Sequence, residues 1–146
     1  MKLDNIDLKI LDELKGDGRA TVRELAKKLR EPITTVHSRL RKLQSEKVIK
    51  KFTIEPDYEK LDRGILAFVM LKLNHSSIGD SGIDSLKKKL KSFAEVDKIY
   101  ALTGEIDWLM IVRVGSIKEL DNFLIRKLRG LKEISTTVTQ IVLEED

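Results

Sequence analysis

Residues 34–42 read TTVHSRLRK, and seven of the nine can offer a hydrogen bond or a positive charge to a partner. They are Thr34, Thr35, His37, Ser38, Arg39, Arg41 and Lys42. Guanidinium and hydroxyl groups can bond base edges, and a Thr can also touch a thymine methyl. Cations on phosphates position a protein without reading sequence. Lys47, Lys50 and Lys51 extend the run, and between residues 30 and 53 seven Lys and Arg stand against only Glu31 and Glu46. This is binding chemistry rather than bond-making chemistry. The chain has two histidines, His37 and His75, no cysteine, and no H-E-x-x-H, P-loop or G-x-S-x-G motif. Histidines so placed make neither a metal cluster nor a triad. No catalytic residue, metal site or cofactor is expected.

The elements around this stretch fix what it faces. Leu3, Ile6, Ile10, Leu11 and Leu14 recur at helical spacing and predict a helix over 4–16, ended by Gly16 and Gly18. Thr21 and Glu24 have capping-box spacing and open a second helix, with Val22, Leu25, Ala26 and Leu29 as its stripe. A third starts at Pro32, favourable at a first helical position, and runs to about Ser45. On that helix Val36, Leu40 and Leu43 line up with Ile33 as a core stripe. Thr34, Thr35, Ser38, Arg41 and Lys42 fall opposite, while Arg39 and His37 flank the stripe. Residues 48–54 alternate toward a strand, broken by Glu55-Pro56-Asp57. Any single basic helix is usually a solvated face. Here the charge coincides with the recognition position of a winged helix-turn-helix, which points to double-stranded DNA.

After a connector at 55–64 the pattern changes. Residues 65–73 predict a strand, Ile83, Leu86, Leu90 and Phe93 an amphipathic helix with Lys87, Lys88, Lys89 and Lys91 as its solvated side, and 96–103 and 108–114 two more strands. Ser116 and Glu119 have capping-box spacing and open a helix to about Arg129; a last strand spans 134–143. The order β-α-β-β-α-β is that of a ferredoxin-like split βαβ. The chain therefore reads as α+β: a winged helix-turn-helix over 1–54, a linker over 55–64 and a ferredoxin-like domain over 65–146. Ile65, Ala67, Val69 and Leu71 should point to one side of the sheet, and Leu66, Phe68 and Met70 to the other. Trp108, Met110 and Val112 likewise oppose Leu109 and Ile111. One layer of helices covers one face. The other needs the N-terminal helices or a second copy in a two-fold dimer.

Composition sets the outer limits. Of 146 residues, 41% are hydrophobic and 36% charged, which suits a globular chain. Residues 1–60 hold 15 Lys and Arg against 11 acids, whereas 61–146 hold 13 of each, so the whole surplus of +4 lies in the first part. The absence of cysteine excludes disulfides and thiolate chemistry and fits a reducing cytoplasm. MKLDNIDL places two acids where a signal peptide would be apolar, and no apolar run is long enough to cross a bilayer. An RNA-binding module of the same topology would carry a K/R-G-F/Y-type strand; these strands offer Tyr100 and Trp108 without it. A non-specific architectural protein that coats DNA would use the same basic strip, and is the alternative to a sequence-specific regulator.

Taken in order, LDNIDLKILDEL, DGRATVRELAKKL, TTVHSRLRKLQSEKVIKKFT, LTGEIDWLMIV and TTVTQIVLEE make the chain similar, over nearly its whole length, to the Lrp/AsnC family of transcription factors. The resemblance implies a cytoplasmic, nucleoid-associated prokaryotic regulator that forms homodimers and often octamers. It implies promoter binding by the N-terminal winged helix-turn-helix, for which the third helix and the segment after it offer Thr34, Thr35, His37, Ser38, Arg39, Arg41, Lys42, Lys50 and Lys51. It also implies an amino-acid or related small-molecule effector near Thr103, Gly104, Glu105 and Asp107, with Thr137 and Thr139 of a T-x-T facing the same cleft. On the residues alone, Gly104 serves a hairpin turn and Asp107 caps it equally well. The family usually reads L-G-[LIV]-S before the recognition helix, where this chain has Leu29-Arg30-Glu31-Pro32-Ile33. Either Arg30 accepts the tight-turn conformation or the turn is reshaped.

Overall fold

The structure, a computed structural model, describes residues 2–79 and 82–145. It divides into two compact units, Met1–Pro56 and Asp57–Asp146.

In the first unit, α1 spans Asn5–Gly16, α2 Val22–Leu29 and α3 Ile33–Ser45. Two reciprocal caps start the first two. Asp4 accepts the amides of Ile6 and Asp7, and Asp7 reaches back to the amide of Asp4 at 3.1 Å. Thr21 and Glu24 do the same for α2, the Thr21 amide donating to Glu24 at 2.7 Å. The amphipathic stripes converge on Ile10, Leu25, Val36 and Leu43, all fully buried. The strand expected over 48–54 does not form: Val48 and Ile49 lie in a bend, and residues 50–54 join no ladder. A strand needs a partner for its backbone groups, and this unit is otherwise three helices. Phe52 and Ile54 are left exposed.

In the second unit, β1 is Ile65–Leu73, α4 Gly82–Lys91, β2 Val96–Ala101, β3 Trp108–Val114, α5 Ile117–Asn122 and β4 Ile134–Ile141. The sheet order is β2-β3-β1-β4 with antiparallel neighbours, the expected βαββαβ arrangement. Ser116 caps α5 by accepting the amide of Glu119, but the Glu119 carboxylate returns to the amide of Gly115, one residue before the expected box. A side chain at Gly115 would run into the carbonyl oxygen of Asp62, so a bare backbone is required there. The chain does not stay α-helical to Arg129. Phe123–Leu128 is π-helical, with the Arg129 amide bonded to the Leu124 carbonyl. Winding with i→i+5 bonds sets residues five apart over one another, so Phe123 and Leu128 are both buried.

Register assigns the two faces. Ala67 pairs with Val112, Val69 with Met110 and Leu71 with Trp108, and this row lies under Leu86, Leu90, Leu120 and Phe123. The opposite face carries Phe68 paired with Ile111, and Met70 paired with Leu109 and Val138. Neither helix of this unit covers it. At one end of that face Arg113 lies buried, stacked 3.7 Å from the Tyr58 ring centre and bound to both oxygens of Glu145. Among the described residues, no helix is long and apolar enough to cross a membrane.

Trp108 is 5% exposed within the helix-covered core. Trp108→Asp buries an unpaired charge and is expected to cost more than about 4 kcal/mol. Loss of cooperative melting should follow. A soluble variant with an intact transition would remove Trp108 from the core.

Candidate nucleic-acid interface and effector site

The turn before α3 decides how that helix is presented. Arg30 takes φ 55° and ψ 40°, the left-handed conformation that glycine favours. The Glu31 amide closes back on the Ala26 carbonyl at 3.0 Å, so the α2 end is a Schellman-type stop built on an arginine. Of the two alternatives, Arg30 accepts the tight turn. Pro32 occupies the cap position of α3, one residue earlier than expected, and supplies no side-chain hydrogen bond to its first amides.

Val36 and Leu43 turn α3 inward and leave Thr34, His37, Ser38, Arg41 and Lys42 exposed on the outside, with Thr35 half-buried beside them. Arg39 is turned the other way. Its guanidinium lies 2.7 Å from Asp4 and 3.4 Å from Asp7, whose carboxylate is fully buried at the start of α1. The cap and the arginine together hold the Asp4 carboxyl below its ordinary value of 3.8; the Asp7 amide is the largest cause, burial works against it, and Arg39 adds to it. Glu24 is lowered from its ordinary 4.5, chiefly by the Thr21 amide. Both caps are therefore at full strength above the ordinary carboxylate range and weaken as pH falls through the lowered values. After α3, Lys47 adopts φ 56° and turns the chain into the segment carrying Lys50 and Lys51, both exposed.

The effector candidates are less concentrated. Thr103, Gly104 and Glu105 form the exposed tip between β2 and β3, where Gly104 has φ 107°. That conformation strains any other residue. Asp107 is engaged within the fold. One carboxylate oxygen accepts the Leu73 amide at 2.7 Å, and the other lies 3.5 Å from Nε2 of His75. Thr137 and Thr139 are half-buried on the edge strand, paired with Leu71 and Val69 on the helix-covered side. Thr137 thus lies in one cross-strand row with Leu71 and Trp108, about 10 Å from Trp108 at two strand spacings. These groups belong to the β2–β3 connection and to the edge strand β4. Two partners had no sequence signal: His75 lies far from Asp107 in the chain, as Asp7 does from Arg39.

Three helices with a cationic third helix, followed by a βαββαβ domain, define a two-part regulator with DNA-binding and ligand-binding domains. Residues 3–50 match the family of winged helix-turn-helix DNA-binding domains, and residues 66–145 match the Lrp/AsnC ligand binding domain. An HTH-type transcriptional regulator of Pyrococcus horikoshii is 36% identical over 95% of this chain and 91% of its own length. The structure of E. coli AsnC is similar at a TM-score of 0.84 and 30% identity, covering 99% of this chain and 95% of that one. A transcriptional regulator of Neisseria meningitidis, described as a complex with L-Met, shares the fold at a TM-score of 0.91 and 23% identity, covering 99% and 92%. The chain belongs to the Lrp/AsnC family, which consists of transcriptional regulators and not enzymes.

Two variants separate structure from recognition. A left-handed L-residue costs about 1–2 kcal/mol, part of which glycine returns through unfolded-state entropy. Arg30→Gly should therefore raise the unfolding free energy of the first unit by about 0.5–1 kcal/mol in denaturant titration; a decrease would mean the arginine side chain outweighs its backbone strain. Arg39→Ala leaves the buried Asp7 carboxylate with the Asp4 amide but no cation, and should lower that stability by about 1–3 kcal/mol. Unchanged stability would deny Arg39 its role as the partner of Asp7.

Proposed function

We propose that this protein is a sequence-biased regulator that reads DNA through α3, works as a homodimer or a larger assembly of dimers such as an octamer, and is tuned by an amino acid or a related small molecule. Its place of action is the cytoplasm, on the nucleoid. The observation that carries the reading is the outer face of α3, where Thr34, Ser38, Arg41 and Lys42 stand exposed opposite the fully buried Val36 and Leu43. Such a helix fits a major groove, with Arg41 suited to a guanine edge and the hydroxyls to neighbouring bases. His37 and Thr35 border the same surface. Lys50 and Lys51 are suited to phosphate, and Arg39 contributes by holding α3 in its rotation.

The second unit supports assembly through its bare apolar face. Phe68, Met70, Leu109 and Ile111 remain partly exposed at its centre, with Tyr100 and Val138 at the margins. A second copy of the same face would cover them, and two recognition helices could then meet half-sites one helical turn or a multiple apart. For the effector, Thr103, Gly104, Glu105, Asp107, Thr137 and Thr139 supply backbone groups, hydroxyls and carboxylates suited to an α-amino acid. The Neisseria structure with L-Met has the same fold. A site bordered by scattered groups is completed by a neighbouring copy, so ligand and assembly are linked.

Full-length protein should enrich a two-fold-related motif from a genomic fragment library, and a pool of amino acids should change the enrichment. Flat binding would indicate a protein that coats DNA without selection. Arg41→Ala should lose about 1–3 kcal/mol of discrimination at one motif position, and Lys50→Ala should flatten the salt dependence while leaving the motif unchanged. Equal weakening on every sequence would move Arg41 to the phosphates.

A further inference from the structure

The second unit is almost neutral in total, yet its charge is strongly segregated. Residues 57–146 hold 14 Lys and Arg against 15 acids. Residues 82–91 and 117–132, which form α4, α5 with its π-helical continuation, and the turn after it, hold nine of those cations and only three acids. The rest of the unit holds five cations and 12 acids. Both helices pack on the same side of the sheet, where Leu86, Leu90, Leu120, Phe123 and Leu128 share one core. Phe93, just after α4, meets Phe123 edge to face at 5.9 Å, which ties the two helices together. Their outward sides therefore form one layer, and Lys88, Lys89, Arg126 and Arg129 stand exposed on it. Among the described residues, only Lys127 of these nine cations has an ion-pair partner, Glu95 at 2.6 Å.

We propose that this helix layer is a second DNA-contacting surface, which holds the phosphate backbone of duplex flanking the site read by α3. The proposal rests on the DNA-binding reading above. Ordinary solubility calls for interspersed signs, and a field of one sign on an otherwise acidic unit costs self-repulsion unless a polyanion answers it. The layer is rich in lysine, a point charge that attracts phosphate without fixing a base. Duplex is the polyanion this chain already brings within reach, since both units lie on one polypeptide. The surface would add affinity and leave the sequence preference to α3.

The test uses the full-length chain and two mixed-sequence duplexes, about two and about six helical turns long. Salt dependence is measured for wild type and for the variant Lys88→Gln, Lys89→Gln, Arg126→Gln and Arg129→Gln; all four positions are exposed, and an unchanged melting transition checks the fold. On the long duplex the variant should bind at least about tenfold more weakly at physiological salt, with a salt slope shallower by about 2–4. On the short duplex it should differ little from wild type. Equal affinity and slope on the long duplex would overturn the proposal while leaving DNA binding by α3 intact. Failure of wild type to bind either duplex would overturn the DNA reading and this proposal with it. Equal DNA binding together with variant-sensitive pelleting on phosphatidylserine vesicles would reassign the layer to a membrane surface.

Discussion

A carboxylate removed from water needs a partner, and Asp7 is fully buried at the start of α1. Its Oδ2 accepts the Asp4 amide at 3.1 Å and lies 3.4 Å from Arg39, which also bonds Asp4 at 2.7 Å. This pair ties the first helix to the third and fixes the rotation of α3 more firmly than the apolar stripe does alone. A stripe of Val36, Leu40 and Leu43 tolerates some turning; a buried charge with one cation in reach does not. The surface left outward, Thr34, Ser38, Arg41 and Lys42, follows from that constraint. One arginine of a basic helix, Arg39, is engaged within the unit, while Arg41 stays exposed.

The second unit solves a different problem. Its central strands are apolar on both sides, and two helices cover only one. Register makes the division strict, because Val69 and Met70 are neighbours in sequence but belong to opposite faces. The covered face holds Trp108 and Met110. At one end of the other face, Tyr58 and Glu145 hold Arg113.

Periodicity made the helices and the strand order legible, since periods of 3.6 and 2 each bury one face. Capping boxes at Thr21 and Ser116 marked helix starts, although Glu119 bonds the Gly115 amide. The strand over 48–54 was misread because alternation records a preference for extended backbone, whereas a strand also needs a neighbour to bond. The π-helical turn at Phe123–Leu128 is a tertiary choice, made where two residues five apart both serve the core. Arg30 showed the opposite limit. Its type argued against a left-handed turn, yet the packing of α2 and α3 imposes one, and a strained arginine stands where glycine is usual. For the site residues, composition separated the outward cations from the core, but Arg39 looked like its neighbours until Asp7 was placed beside it.

A ligand can alter DNA binding only through a difference in its affinity between two states of the protein. The candidate effector groups lie on the β2–β3 connection and on edge strand β4: Asp107 already terminates β1 through the Leu73 amide, and Thr137 pairs with Leu71. On the proposed reading the missing wall comes from another copy, so the bound state and the assembled state are the same state. Ligand then shifts the number of recognition helices presented together rather than the shape of any one of them. On that reading the Asp7–Arg39 contact keeps α3 fixed within its unit and leaves assembly as the variable for a ligand to act on.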